Sequence, residues 1–147
     1  MSQSPLQDFP MIQKQVVAWG DMDAFGHVNN ANYYRYFESV RISYLQAIGA
    51  LDQLEACNPV VSANSCRFLK PVTYPDTLEL GARVVELRGS GFRMEYVLVS
   101  SRQQAVVATG EAVVVMVAAG GGKLALSDVL RQSIFRLEAT VGHTPAS

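Results

Sequence analysis

Apolar and polar positions along this chain follow two rhythms. Between Ala31 and Ile48, the residues Tyr33, Phe37, Val40, Tyr44 and Ile48 recur at steps of three and four. That spacing puts them on one stripe of an α-helix. Arg35, Glu38, Arg41 and Gln46 fall largely on its other faces. Asn29 or Asn30 supplies the N-cap, and Gly49 stands where the helix would stop. Elsewhere the period drops to two. Ile12 to Trp19 reads as a first strand, and Val60 to Val72 as an apolar-rich strand segment ended by Pro71 and Pro75. In Thr77 to Leu87, Leu78, Leu80, Ala82 and Val84 share one face. Gly89-Ser90-Gly91 reads as a hairpin turn. Phe92 to Ser101 then sets Phe92, Met94, Tyr96 and Leu98 against Arg93, Glu95, Val97 and Val99. Ala105 to Ala118 is valine-rich with little alternation, the pattern of a strand buried on both faces. Ser127 begins a short terminal helix over Asp128 to Glu138.

The predicted order is strand, long helix, four strands in meander, short helix. A run of strands after a helix implies an α+β fold with an antiparallel sheet packed on that helix. The helix is apolar over a wide arc, so the expected sheet curves around it. No repeat or linker divides residues 1–147, which read as one domain with loose ends at about 1–10 and 139–147.

Composition narrows the function classes. Apolar residues make up 49 % of the chain and charged residues 17 %, a globular balance. The net charge of −1 provides no global attraction to nucleic acid or anionic lipid. Any polyanionic ligand must be held by local arginines or helix ends. The longest apolar run, Ala112 to Ala119, is far too short to span a bilayer. MSQSPLQDFP lacks the basic start and apolar stretch of a signal peptide. Cys57 and Cys66 fit neither a disulfide framework nor a zinc site, so no metal or prosthetic cofactor is expected, and the chain reads as cytoplasmic.

Candidate chemistry concentrates in one loop. Asp21, Asp23 and His27 lie within seven residues, directly before the capped helix. A helix start offers free backbone N–H groups and a partial positive charge. Those features polarise a carbonyl and stabilise an oxyanion. A carboxylate beside them can attack that carbonyl or activate water against it. Thioesters suit such a site, because a thiolate leaves with little help from a general acid. Taken alone, two aspartates and a histidine in a loop more often serve as caps and turn formers.

The run from Gly20 to Tyr33 (GDMDAFGHVNNANY), continued by Tyr36-Phe37-Glu38 and Arg41, closely resembles the 4-hydroxybenzoyl-CoA thioesterase and bacterial acyl-CoA thioesterase family. Arg67-Phe68-Leu69-Lys70-Pro71 followed by Asp76 resembles that family's third-strand region. The resemblance extends from about Gln15 to Ile134. It implies a hotdog fold, a curved antiparallel sheet of about five strands wrapped around one long central helix. It further implies a homodimer with one continuous sheet, or a homotetramer of two such dimers, and an acyl-CoA substrate whose pantetheine arm enters at the dimer interface. By position, Asp23 matches the catalytic nucleophile or general base, and the Asn30 backbone N–H matches the group that polarises the thioester carbonyl. His27 and Asn29 match positions that shape the loop and order water or substrate. Tyr33 and Glu38 match helix positions that face the acyl pocket or support the site. Ala24-Phe25 departs from the Pro-Ala of the aromatic subgroup, and Asn30 replaces a histidine or tyrosine of other subgroups. An aliphatic or other acyl group is therefore expected before an aromatic one.

Plainer roles stand beside these. Asp21 reads as a turn residue or ion-pair partner. Glu38 reads as a surface partner of Arg41 or Arg35, Tyr33 as core, and Arg67 and Lys70, which could contact coenzyme A phosphates, read first as solvated strand-end charges. Tyr34 and Tyr36 form no nucleic-acid platform, because no basic patch accompanies them. Hotdog folds also host acyl-thioester hydratases and dehydratases, and a non-catalytic acyl-CoA-binding protein is a third class. Fold alone does not separate the three.

Overall fold

A computed structural model describes residues 4–147. Strand β1 (Met11–Val16) leads through a single 3-10 turn at Trp19–Asp21 into helix α1 (Asn30–Ala47), followed by β2 (Cys57–Phe68), β3 (Thr77–Leu87), β4 (Gly91–Ser100), β5 (Ala105–Ala118) and helix α2 (Asp128–Ala139). All strand pairings are antiparallel, and the five strands form one sheet in the order β1-β3-β4-β5-β2. This is the expected hotdog architecture. The helical stripe lands as its spacing requires: Tyr33, Phe37, Val40, Tyr44 and Ile48 are all buried. They face the inward rows Leu78, Leu80, Ala82 and Val84 of β3 and Phe92, Met94, Tyr96 and Leu98 of β4, also all buried. Phe37 stacks on Tyr96 with centroids 4.8 Å apart. The helix comes this close because Gly110 lies beneath it; a Cβ there would meet the Phe37 ring at 2.5 Å.

Four expectations need correction. First, the strands after α1 are not one meander. Only β3, β4 and β5 follow in hairpins, while β2 pairs with β5 at the far edge. Residues 69–76, Pro71 and Pro75 among them, separate β2 from β3, a connection too long for a tight turn. The chain instead crosses from one side of the sheet to the other as a strap over residues 69–76. Leu69 and Lys70 both donate to the Val107 carbonyl at the start of this crossing. Second, β5 is an interior strand whose burial alternates, with Ala112, Val114 and Met116 inward and buried, and Val113, Val115 and Val117 half-buried outside. Its valines are therefore not buried on both faces. Third, Arg41 is buried on α1, where its guanidinium donates to the Tyr96 hydroxyl at 3.2 Å while its stem lies against the core.

Fourth, the ends are tied down. Leu6 and Phe9 pack on the outer face of the sheet against Val97, with the Arg83 guanidinium 4.7 Å from the Phe9 ring centroid. The part of the loose-end expectation that falls on residues 1–3 lies outside the described residues. At the other end, a register shift at Val84–Glu86 takes β3 out of step with β4, and β1 covers β3 only as far as Ala82. The C-terminal segment takes over the edge left open there, as an exposed strand edge requires. Ala146 donates to the Val85 carbonyl, and Leu87 donates to the Ala146 carbonyl. Glu138, fully buried, accepts from the Val84 N–H at 2.9 Å and the Tyr44 hydroxyl at 2.6 Å, and its other oxygen is 2.7 Å from His143 Nδ1.

Candidate active site

The loop before α1 is a small self-closed structure. Met22 and Val28 form an antiparallel bridge, and Asp23 and Gly26 hold the turn between them: the Asp23 N–H donates to the His27 carbonyl at 2.8 Å and the Gly26 N–H to the Asp23 carbonyl at 3.0 Å. Gly26 occupies the left-handed region at φ 79°, which its missing Cβ permits without strain. The loop is fastened to the crossing strap by the Val28 N–H, which donates to the Val72 carbonyl at 2.8 Å.

Asn29 is the N-cap, which settles the choice between the two asparagines. Its side-chain oxygen accepts from the Ala31 N–H at 2.9 Å, and its carbonyl accepts from the Asn32 N–H at 2.9 Å. The second and third N–H groups of the helix are thereby satisfied. The first, that of Asn30, meets no acceptor among the described residues. A free N–H in the first turn adds its dipole to the positive end of the helix.

Asp23 is half-buried. One of its carboxylate oxygens accepts from the Phe25 N–H at 2.8 Å; the other has no partner among the described residues. Asp23, His27 and Asn30 line one groove of about 460 Å³. Tyr33 forms its floor, and Phe25, Phe68, Leu69, Lys70 and Pro71 complete the wall. Tyr33 and Phe68 meet edge to face at 4.9 Å. Burial, with Cys66 nearby, raises the Tyr33 hydroxyl above the usual phenol range, so it stays protonated. Phe25, Phe68 and Leu69 are exposed at the mouth, leaving an apolar rim beside a carboxylate.

Four of the six residues picked out by sequence thus line one groove: Asp23, His27, Asn30 and Tyr33. Asn29 serves it only through the cap. Glu38 lies outside it, with its side chain 65 % exposed and 3.8 Å from Arg41, as its surface reading predicts. The strap residues are the larger omission. Arg67-Phe68-Leu69-Lys70-Pro71 stood out in the sequence, yet its charges read as solvated ends. The crossing that folds Phe68, Leu69 and Pro71 over the helix start follows from β2 pairing with β5, which no local pattern announces.

In chemical terms, a carboxylate with a free oxygen and an unpaired N–H at a helix start share a groove with an apolar wall. Such a groove can hold an acyl group, polarise its carbonyl and bring a base or nucleophile to it.

Known proteins carry the same frame. A thioesterase from Thermus thermophilus, solved with coenzyme A and Zn, superposes with a TM-score of 0.81 at 32 % identity, over 90 % of this chain and 96 % of that one. The PA5185 protein of Pseudomonas aeruginosa PAO1 superposes at 0.80 with 31 % identity, covering 90 % and 94 % of the two chains. The uncharacterized protein YsmA of Bacillus subtilis is 29 % identical over 115 residues, 78 % of each chain. Residues 17–134, from the buried end of the first strand region to the middle of α2, match the family described as the thioesterase-like superfamily. The chain belongs to the thioesterase-like superfamily.

Proposed function

We propose that the protein hydrolyses acyl-CoA thioesters to the free acid and coenzyme A, with Asp23 as the catalytic carboxylate. The observation that carries this reading is that Asp23, with one carboxylate oxygen left free, and Asn30, whose N–H is unpaired among the described residues, line the same groove. The solved Thermus relative, crystallised with coenzyme A, supports the substrate class.

In the proposed step the thioester oxygen lies toward the Asn30 N–H and the acyl chain against Tyr33 and Phe68. Asp23 acts on the carbonyl carbon either directly, forming an anhydride that water then opens, or through a water whose proton it takes. Both routes pass through an oxyanion that the Asn30 N–H and the helix dipole stabilise. The C–S bond then breaks and coenzyme A leaves as a thiolate. His27, exposed at the rim, orders water or substrate. The chemistry requires no metal or prosthetic group. The working unit is a homodimer or homotetramer: β2 is a twelve-residue strand at the edge of the sheet, and an edge of that length is a template for pairing with a second copy. The pantetheine arm then enters at that interface.

The test is a panel of acyl-CoA thioesters running from acetyl to palmitoyl, with benzoyl-CoA added, assayed for free thiol. Thiol release supports hydrolysis, with straight-chain esters favoured over benzoyl. A change at a substrate double bond without thiol release would make the protein a hydratase, and binding with neither product would make it a carrier.

A further inference from the structure

Asp21 sits two residues before Asp23, and its surroundings differ from those of its neighbour. One carboxylate oxygen, Oδ2, accepts two hydrogen bonds: from the Ala18 N–H at 3.0 Å and from the Tyr36 hydroxyl at 2.8 Å. Its backbone carbonyl accepts two more, from the Asn29 N–H at 2.9 Å and the Asn32 side-chain amide at 3.0 Å. Residue 21 therefore joins three pieces of chain: the 3-10 turn after β1, the N-cap of α1, and the first two turns of α1 through Asn32 and Tyr36. Tyr36 is itself buried, 5 % exposed. Burial and the Asp21 hydrogen bond raise its hydroxyl well above the ordinary phenol range, so it remains a donor at any working pH.

We propose that Asp21 and Tyr36 are positioning residues that lock the Asp23 loop to the helix whose first N–H faces the substrate. The inference rests on the thioesterase reading for its catalytic consequence, while the lock itself is a property of the resting protein. The geometry carries it in two ways. The cap that leaves the Asn30 N–H free is Asn29, and the N–H of Asn29 is bonded to the Asp21 carbonyl. The loop bearing Asp23 hangs between residue 21 and that same cap. With the lock intact, carboxylate and N–H keep one separation. With it released, the loop swings on the Met22–Val28 bridge, and a misplacement of about 1 Å costs on the order of a hundredfold in rate.

The test compares two tyrosines. Tyr36→Phe removes the hydroxyl that Asp21 accepts, and Tyr44→Phe removes the hydroxyl that Glu138 accepts, at an equally buried site in the same helix. Both variants keep the ring in the core. A merely structural role predicts equal consequences for the pair. The lock predicts that Y36F loses roughly ten- to a hundredfold in kcat with KM within about twofold, while Y44F keeps its turnover. Hydrogen exchange of the Phe25 and Asn29 amides, measured without substrate, should quicken in Y36F and not in Y44F. Because a single oxygen of Asp21 takes both bonds, Asp21→Asn can retain both and should keep most of the activity, whereas Asp21→Ala should behave like Y36F.

Equal kcat in Y36F and wild type, or unchanged exchange at both amides, would overturn the lock. An Asp21→Asn variant as inactive as Asp23→Asn would also overturn it, making Asp21 a reacting carboxylate. If wild type releases no thiol from any ester in the panel, the thioesterase reading fails, and the exchange comparison still decides the lock.

Discussion

Helix α1 carries two buried tyrosines that each donate a hydrogen bond to a carboxylate from another part of the chain, Tyr36 to Asp21 and Tyr44 to Glu138. Around Glu138 everything is closed. The carboxylate is fully buried and both oxygens are engaged, by Tyr44, by the Val84 N–H and by the His143 ring. Around Asp21 the closure is partial, and two residues on, Asp23 keeps one oxygen free and lines a groove. A carboxylate whose acceptor sites are all filled by its own fold ties elements together and has nothing left for a substrate. One held on one side and open on the other is fixed in place and still able to react. Under the proposed reading the chemistry follows the capacity left over at each group, and the more deeply buried acid is the structural one.

Predictions that break or sharpen this contrast begin at the helix start. Asn30→Pro removes the unpaired N–H proposed to hold the carbonyl and should lower the rate by about 10²–10³, as loss of an oxyanion donor does, while Asn30→Ala keeps that N–H and most of the turnover. The backbone is ready for proline here. Position 30 is the first of the helix, and Asn29 lies at φ −63° and ψ 139°, the extended conformation that precedes proline comfortably. Steady-state kinetics of the two variants check it; equal rates would show that another donor holds the carbonyl.

At the closed end, Glu138→Ala strands the Tyr44 hydroxyl and the Val84 N–H. It should cost roughly 3 kcal/mol of stability in urea unfolding, with kcat per folded molecule unchanged. A folded E138A variant with crippled turnover would erase the distinction between the two sites.

The smallest effect concerns Cys66, near Tyr33. Burial pushes its thiol up to about 11, from 9.0 in an ordinary setting. A thiol whose pKa is raised by folding favours the folded state fully below its unfolded value, and that contribution fades as pH climbs through the folded one. Cys66→Ala should therefore flatten the loss of stability between about pH 9 and pH 11 in alkaline unfolding curves. An unchanged slope would show that the Cys66 thiol is no better shielded in the fold than in the open chain.

Much of the frame was legible because local spacing reports local burial. The stripe from Tyr33 to Ile48 and the inward rows of β3 and β4 each obey one period and needed no knowledge of partners. Strands β3 and β5 span the residues expected of them, Thr77–Leu87 and Ala105–Ala118. What escaped depends on contacts distant in sequence. The pairing of β2 with β5 joins strands that β3 and β4 separate in sequence, and β2 alone reads like any other strand. Arg41 belongs to the polar set by type, yet its stem is long enough to be buried while its head reaches Tyr96. Glu138 figured in the sequence only as the end of a short helix; its partners lie on β3, α1 and the C-terminal segment. In the site, the loop chemistry alone pointed to caps and turn formers, and it was the resemblance of that loop to a known family that singled out Asp23 and Asn30, which the fold places on one groove. The wall of Phe68, Leu69 and Pro71 was not legible, because the crossing that builds it is a property of the sheet order.

The central claim is that Asp23 is the reacting carboxylate, and replacing it with asparagine tests this most directly. The substitution keeps size and an oxygen able to accept from the Phe25 N–H, so the loop should hold its shape, with an unfolding midpoint near that of wild type. Thiol release from the preferred acyl-CoA ester should then fall by at least about a hundredfold, the contribution expected of a base or nucleophile. A folded D23N variant that releases thiol at a rate close to wild type would contradict the account.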